Sequence, residues 1–179
     1  MTTEWVPGNY HTHSRLDHEI GGDWMVAIDS PTAPAAEYQQ IGAICMRLQD
    51  HGPEVLLITT RETGRWMIPK GWPIAGLLPH EVAEREAWEE AGVIGKVKRR
   101  IFGEFRYAKI LSDGSKVEPL VPVYVIKVRR RKKRFPERAE RDVIWMNPTD
   151  AALKVQVPEL RALLQDFARS LTLGSDKIW

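Results

Sequence analysis

Residues 71–93 read GWPIAGLLPHEVAEREAWEEAGV, and the part from Pro79 to Ala91 has the marks of one helix. Pro79 suits a first helical position, where its missing N–H costs nothing, and Gly92 suits the left-handed residue just past the end. On a helical wheel Glu86, Glu89 and Glu90 fall within an arc of about 100°. Ala83, Ala87 and Ala91 recur every fourth residue on an adjoining face, a small-residue ridge that lets a helix sit close to a sheet. Glu81 and Arg85 form an i, i+4 pair of opposite sign on a third face. The three clustered carboxylates repel one another by roughly 0.2–0.5 kcal/mol per pair. They also lie toward the helix end where the dipole disfavours anions. A divalent cation reverses both penalties, and an all-oxygen donor set selects Mg²⁺ or Mn²⁺ over zinc. The helix by itself leaves a second reading open, a solvated acidic face.

With its flanks included, the segment resembles the Nudix box, G-x5-E-x7-R-E-U-x-E-E-x-G-U, where U is a bulky apolar residue. Gly71, Arg85, Glu86, Glu89, Glu90, Gly92 and Val93 match in residue type and spacing, and Ala87 is a small version of U. The first glutamate of the pattern is replaced by Leu77. The resemblance implies an α/β fold, a Nudix-type α/β/α sandwich with a mixed β-sheet over residues 40–170. It also implies a Mg²⁺- or Mn²⁺-dependent pyrophosphohydrolase. Carried over by position, Glu86, Glu89 and Glu90 are the metal ligands, with Gly71 beside them at the metal site. One of Glu89 and Glu90 takes the catalytic role of helping to activate water, and Arg85 orients a carboxylate through its bidentate fork. Leu77 cannot ligate a metal, so weaker metal organisation is expected. Leu77 adjoins Leu78 and Ile74 in an apolar stretch, which suggests packing, and Glu81 points away from the metal face.

Outward from the helix, strand patterns occupy residues 40–49, 54–61 and 65–69, the last two separated by the turn Glu62-Thr63-Gly64. Downstream, strands are predicted at 97–111 and 117–130, joined by Ser112-Asp113-Gly114-Ser115, a strong hairpin signal. A short strand at 142–146 and a helix at 158–170 follow. Hairpins with two isolated helices suggest a mixed sheet covered by helices. Residues 1–39 read as an irregular N-terminal arm, with PTAPAA at 31–36 as its linker, and 171–179 as a C-terminal tail.

The approach to the box, Trp66-Met67-Ile68-Pro69-Lys70-Gly71, is similar to that of the diphosphoinositol polyphosphate and diadenosine polyphosphate hydrolase branch. Lys70 is a candidate partner for a substrate phosphate, a solvent-facing lysine at a turn being the other reading, and Arg61 on the neighbouring strand is a candidate for the same cleft. Residues 127–134, KVRRRKKR, carry seven basic side chains and no acid. Without them the remaining 19 basic residues face 24 acidic ones, so the positive charge is a patch on an acidic body. Lys127, Arg129 and Arg131 share one strand face. Arg129 and Arg131 are candidate substrate contacts if the run lines a cleft. A solvated edge that discourages sheet pairing and a nonspecific nucleic-acid contact are the other readings, and no interleaved aromatic favours the last. Glu137 and Glu140 are candidates for an additional ligand or base, although their alternation with Arg138 and Arg141 equally permits surface ion pairs. His11, His13 and His18 complete no metal pattern, Cys45 reads as a core residue, and Trp88 as a packing one.

The whole chain, 179 residues with 43% hydrophobic and 28% charged side chains, fits one globular domain of ordinary composition. No apolar run approaches the roughly twenty residues that span a bilayer. One cysteine excludes an internal disulfide, and the polar, acidic opening lacks the form of a secretory signal. The expectation is a cytoplasmic hydrolase of a diphosphate bond in a small polyphosphate of the dinucleoside or diphosphoinositol class. No nucleic-acid or membrane partner is expected, and oligomeric state stays open. A catalytically silent binding module, motivated by Leu77, and an RNA 5′-pyrophosphate hydrolase, motivated by the basic run, are the rivals.

Overall fold

The computed structural model describes residues 39–174. The arm predicted at 1–39 (Gln39 apart), with its three histidines, and the tail beyond 174 lie outside the described residues. Strands β1 (Ile41–Gln49) and β2 (Gly52–Thr59) make an antiparallel hairpin in which Met46 faces Val55. Two short strands follow, β3 (Trp66–Met67) on β2 and β4 (Lys70–Gly71) on β1. Helix α1 (Pro79–Ala91) leads into β5 (Val93–Arg106), which pairs antiparallel with β8 (Leu120–Arg131). Between them β6 (Lys109–Ile110) and β7 (Lys116–Val117) form a separate small hairpin. β9 (Val143–Met146) returns to β2, and α2 (Pro148–Lys154) and α3 (Pro158–Thr172) end the described chain.

The main sheet runs β3-β2-β1-β8-β5, with β4 added on β1 and β9 on β2. The β1–β8 contact is parallel, Ala43 opposite Tyr124, while the other pairs are antiparallel. The sheet is therefore mixed, as expected. Strand alternation divides the core in two. Ile44, Met46, Val55, Leu57, Val123 and Val125 pack with α2 and α3. Ala43, Cys45, Leu56, Ile58, Tyr124 and Ile126 pack with α1. Helices thus cover both faces, and the α/β/α sandwich follows.

The alanine ridge does what its spacing implies: Ala83, Ala87 and Ala91 are fully buried against the sheet. α3 buries Leu160, Leu163, Leu164 and Phe167 at helical spacing, with Phe167 edge-on to Phe102 at 5.3 Å between ring centroids.

Some boundaries differ from the sequence reading. β5 starts at Val93, directly after the helix cap, and not at 97, because Val93 already pairs with Arg131. α2 was not predicted; Asn147 caps it by accepting the Thr149 N–H at 2.8 Å, and Pro148 takes the first helical position. α3 continues to Thr172, past the expected limit at 170. No helix among the described residues is long and apolar enough to cross a membrane.

Candidate active site

α1 is placed at both ends by bonds that its sequence makes possible. At the start, the Leu78 N–H donates to the Glu81 carboxylate at 2.8 Å, satisfying an otherwise free donor. At the end, Gly92 has φ +70°, and a Cβ there would lie 2.6 Å from the Phe135 ring and 2.8 Å from the Lys132 carbonyl. The last carbonyls then find partners from the end of β8 and the chain that follows it. Arg131 Nε donates to the Ala91 carbonyl at 2.8 Å, the Lys132 N–H to Gly92 at 2.8 Å, and the Glu137 N–H to Glu89 at 3.0 Å. These contacts carry the loop 132–141 back over the helix end and bring Glu137 and Arg141 to the glutamates.

The glutamates line one wall of a cleft of about 830 Å³. Its other walls include Arg61, Lys70, Trp72, Tyr107, Glu137 and Arg141. β4 passes so close to α1 that a Cβ on Gly71 would lie 2.1 Å from Glu86 Cδ; only glycine leaves room for the Glu86 carboxylate. Burial, and then the negative charge of Glu90, Glu89 and Glu137, pushes the Glu86 carboxyl up to about 8. Glu90 is also raised by burial, although Arg141 and Lys70 pull the other way. It accepts the Lys70 backbone N–H at 2.8 Å and ion-pairs with Arg141. Burial lowers the Lys70 ammonium to about 8, with Nζ 5.1 Å from the Tyr107 ring centroid. The Tyr107 hydroxyl donates to Gln40 at 2.6 Å, and burial raises its pKa.

Four carboxylates crowd this wall, and burial, with the charge of the other three, pushes one of them, Glu86, far above the ordinary range. That is a hard-oxygen donor set short of positive charge, and it fits a divalent cation. Glu86, Glu89, Glu90 and Glu137 are the residues that would hold it. Among the described residues no three acidic, histidine or cysteine side chains already converge as a finished cage. Arg85 engages Glu89 and Arg141 engages Glu90, which keeps the acids on separate partners.

The NUDIX domain family profile matches residues 38–167, the span that contains the sheet, the glutamate helix and most of α3. The chain belongs to the Nudix family. Among curated relatives, Nudix hydrolase 17, mitochondrial, of Arabidopsis thaliana is 35% identical over 99 residues, covering 55% of this chain and 52% of the relative. Nudix hydrolase 21, chloroplastic, of the same organism is 30% identical over 142 residues, covering 74% of this chain and 67% of the relative. The match to the first thus spans about half of that protein's length. Of solved structures, a binary complex of the Caenorhabditis elegans Ap4A hydrolase superposes with a TM-score of 0.58 at 19% identity, covering 75% of this chain and 98% of the other. The NUDIX domain of Shewanella oneidensis NrtR, complexed with ADP ribose, gives 0.54 at 16% identity, covering 79% and 93%. At these identities the superpositions speak for the fold.

Within the Nudix box, the structure gathers Gly71, Glu86, Glu89 and Glu90 at the cleft, with Lys70 beside them and Arg61 at its edge. Other expectations are corrected. Arg129 and Arg131 are not among the cleft-lining residues. β8 starts at Leu120, opposite Arg106 at the cleft, and ends at Arg131 opposite Val93, where Arg131 serves the helix end. Arg85 pairs with Glu89, not Glu81, and Glu81 instead accepts the Leu78 N–H. The Arg85 side chain is 54% exposed and lies over Trp88, its guanidinium carbon 5.4 Å from the ring centroid. Leu77 is 40% exposed and does not join the core, since the turn before the helix holds it outside. Of the two late acids, Glu137 lines the cleft; Glu140 pairs outside it with Arg61 at 3.2 Å. Arg141 reads in the sequence as no more than a surface ion-pair partner for the acids of its loop, and its contact with Glu90 is not foreseen there. Its only sequence signal is an arginine four residues after an acid, a pattern shared by many surface pairs.

Proposed function

We propose that this chain is a metal-dependent hydrolase of a diphosphate bond in a small, highly phosphorylated molecule, in the dinucleoside polyphosphate or diphosphoinositol polyphosphate class. The observation that carries the reading is the Glu86 carboxyl, lodged against a required glycine and crowded by Glu89, Glu90 and Glu137 in the cleft. Mg²⁺ or Mn²⁺ bound there would neutralise phosphate oxygens and lower the pKa of a coordinated water. The chain's own groups supply the rest. Lys70, facing the cleft over Tyr107, offers its ammonium to a phosphate oxygen. Glu137 and Glu89, both in the cleft lining, would accept a proton from water, and Glu90 fixes the geometry of β4 by holding the Lys70 N–H. Arg61 adds positive charge at the rim.

A cleft of about 830 Å³ is of the size that encloses a small molecule. The position of the basic run beyond that cleft weakens the RNA 5′-pyrophosphate reading. For the compartment, the cytoplasm is the proposal, although the curated relatives are named as mitochondrial and chloroplastic. A phosphate-release screen with a dinucleoside tetraphosphate, a diphosphoinositol polyphosphate, ADP-ribose and a triphosphorylated RNA, each with Mg²⁺ and Mn²⁺, tests the function. Preference for one of the first two supports it. Turnover of the RNA alone contradicts the substrate class, and binding without turnover of any substrate supports the silent module.

A further inference from the structure

We infer that the orienting arginine of this site is Arg141, outside the box, and not Arg85 within it. This rests on the proposed metal site and deepens it by naming the residue that positions its acids. The Arg141 side chain is only 7% exposed and each of its guanidinium nitrogens is used. Nε donates to Glu137 at 2.6 Å, one terminal nitrogen to the Thr59 carbonyl at 2.9 Å, and the other to Glu90. One planar group therefore fixes three elements to each other: the end of β2, helix α1 and the loop that carries Glu137. The planar fork of an arginine suits this task, because its donors point in fixed directions.

Arg85 has no comparable hold. It reaches one carboxylate, Glu89, one turn away on its own helix, and half of its side chain faces solvent. Its other neighbour is the Trp88 ring, also on its own helix. Arg141 acts on the reaction through Glu90 and Glu137, so it is a positioning residue. A variant that loses the fork should leave the acids present but no longer held in one arrangement.

The test compares wild type, Arg141→Gln, Arg141→Lys and Arg85→Gln by Mn²⁺ binding, measured from free Mn²⁺ in electron paramagnetic resonance. Kinetics of the best substrate and a thermal melt are measured alongside. Arg141→Lys keeps a charge beside Glu90, which protects the fold, but one ammonium cannot span Glu90, Glu137 and Thr59 together. Its Mn²⁺ dissociation constant should rise about 10–100-fold, the range seen when partners of metal ligands are removed. kcat should fall by at least the same factor with KM within about threefold. Arg141→Gln should be worse, and Arg85→Gln should lose less than either. Wild-type Mn²⁺ affinity and kcat in a folded Arg141→Lys protein overturn the inference, whatever happens to its melting temperature. Equal losses from Arg85→Gln and Arg141→Lys overturn it as well. Wild-type protein that binds no Mn²⁺ overturns the metal site itself, and the inference falls with it.

Discussion

Glu86 shows how one residue links stability to function. Its carboxyl titrates near 8 in the folded, metal-free chain and near 4.5 when unfolded. The folded state therefore binds more protons between those values, and stability falls as pH rises from about 4.5 to 8. Lys70 works in the opposite sense: with its folded pKa lowered to about 8 from 10.5, it contributes stability that rises with pH between those values. Glu86→Gln removes the buried charge and should stabilise the metal-free protein at pH 8 by about 2–4 kcal/mol, allowing for partial solvent screening. Melting curves from pH 5 to 8 should then be flatter than those of the wild type, and Mn²⁺ should no longer raise the melting temperature. Gly71→Ala makes the complementary point. A Cβ 2.1 Å from Glu86 Cδ must displace the carboxylate, with a stability cost of about 1–3 kcal/mol and loss of Mn²⁺ affinity. Leu77→Glu is expected to be nearly neutral, within about 0.5 kcal/mol in urea titration, because the side chain is 40% exposed. A cost of several kcal/mol would show that Leu77 packs after all.

At the scale of elements, α1 was legible because its information is local. Its proline, its terminal glycine, its alanine ridge and its glutamate spacing are all written within 23 consecutive residues. α2 could have been found from Asn147-Pro148, a cap followed by a first-turn proline. Position 77 was misjudged because an apolar neighbourhood in sequence says nothing about which side of a turn faces the sheet. Arg141 could not be read, since its bond to Glu90 joins residues 51 apart. The fit of α1 against the sheet can be tested through its ridge. Ala87→Leu inserts volume where the side chain is fully buried and should cost about 1–3 kcal/mol by chemical denaturation. Because the same shift moves Glu86 and Glu90 relative to β4, kcat should fall even in the folded fraction. A destabilised protein with unchanged kcat would mean that the site tolerates movement of its helix.

For the molecule as a whole, the sandwich sets where charge can act. The sequence showed a basic patch on an acidic body, and the strand order shows where β8 takes it: away from Leu120 at the cleft side and out to the end of α1. Neutralising Arg129, Lys132 and Lys133 together, with Arg131 left to serve the helix end, should leave KM for a dinucleoside tetraphosphate unchanged within about twofold at both low and physiological salt. Screening matters little when the charges do not face the substrate. A KM that rises steeply at low salt would restore the run to the substrate path. The central claim, that the crowded glutamates of one cleft form a metal-dependent hydrolytic site, is tested most directly by one comparison. This is the turnover of the best diphosphate substrate by wild type and Glu86→Gln at saturating Mg²⁺. The account predicts a folded, more heat-stable variant whose kcat is lower by at least about 100-fold. A Glu86→Gln protein that turns over at the wild-type rate would contradict it.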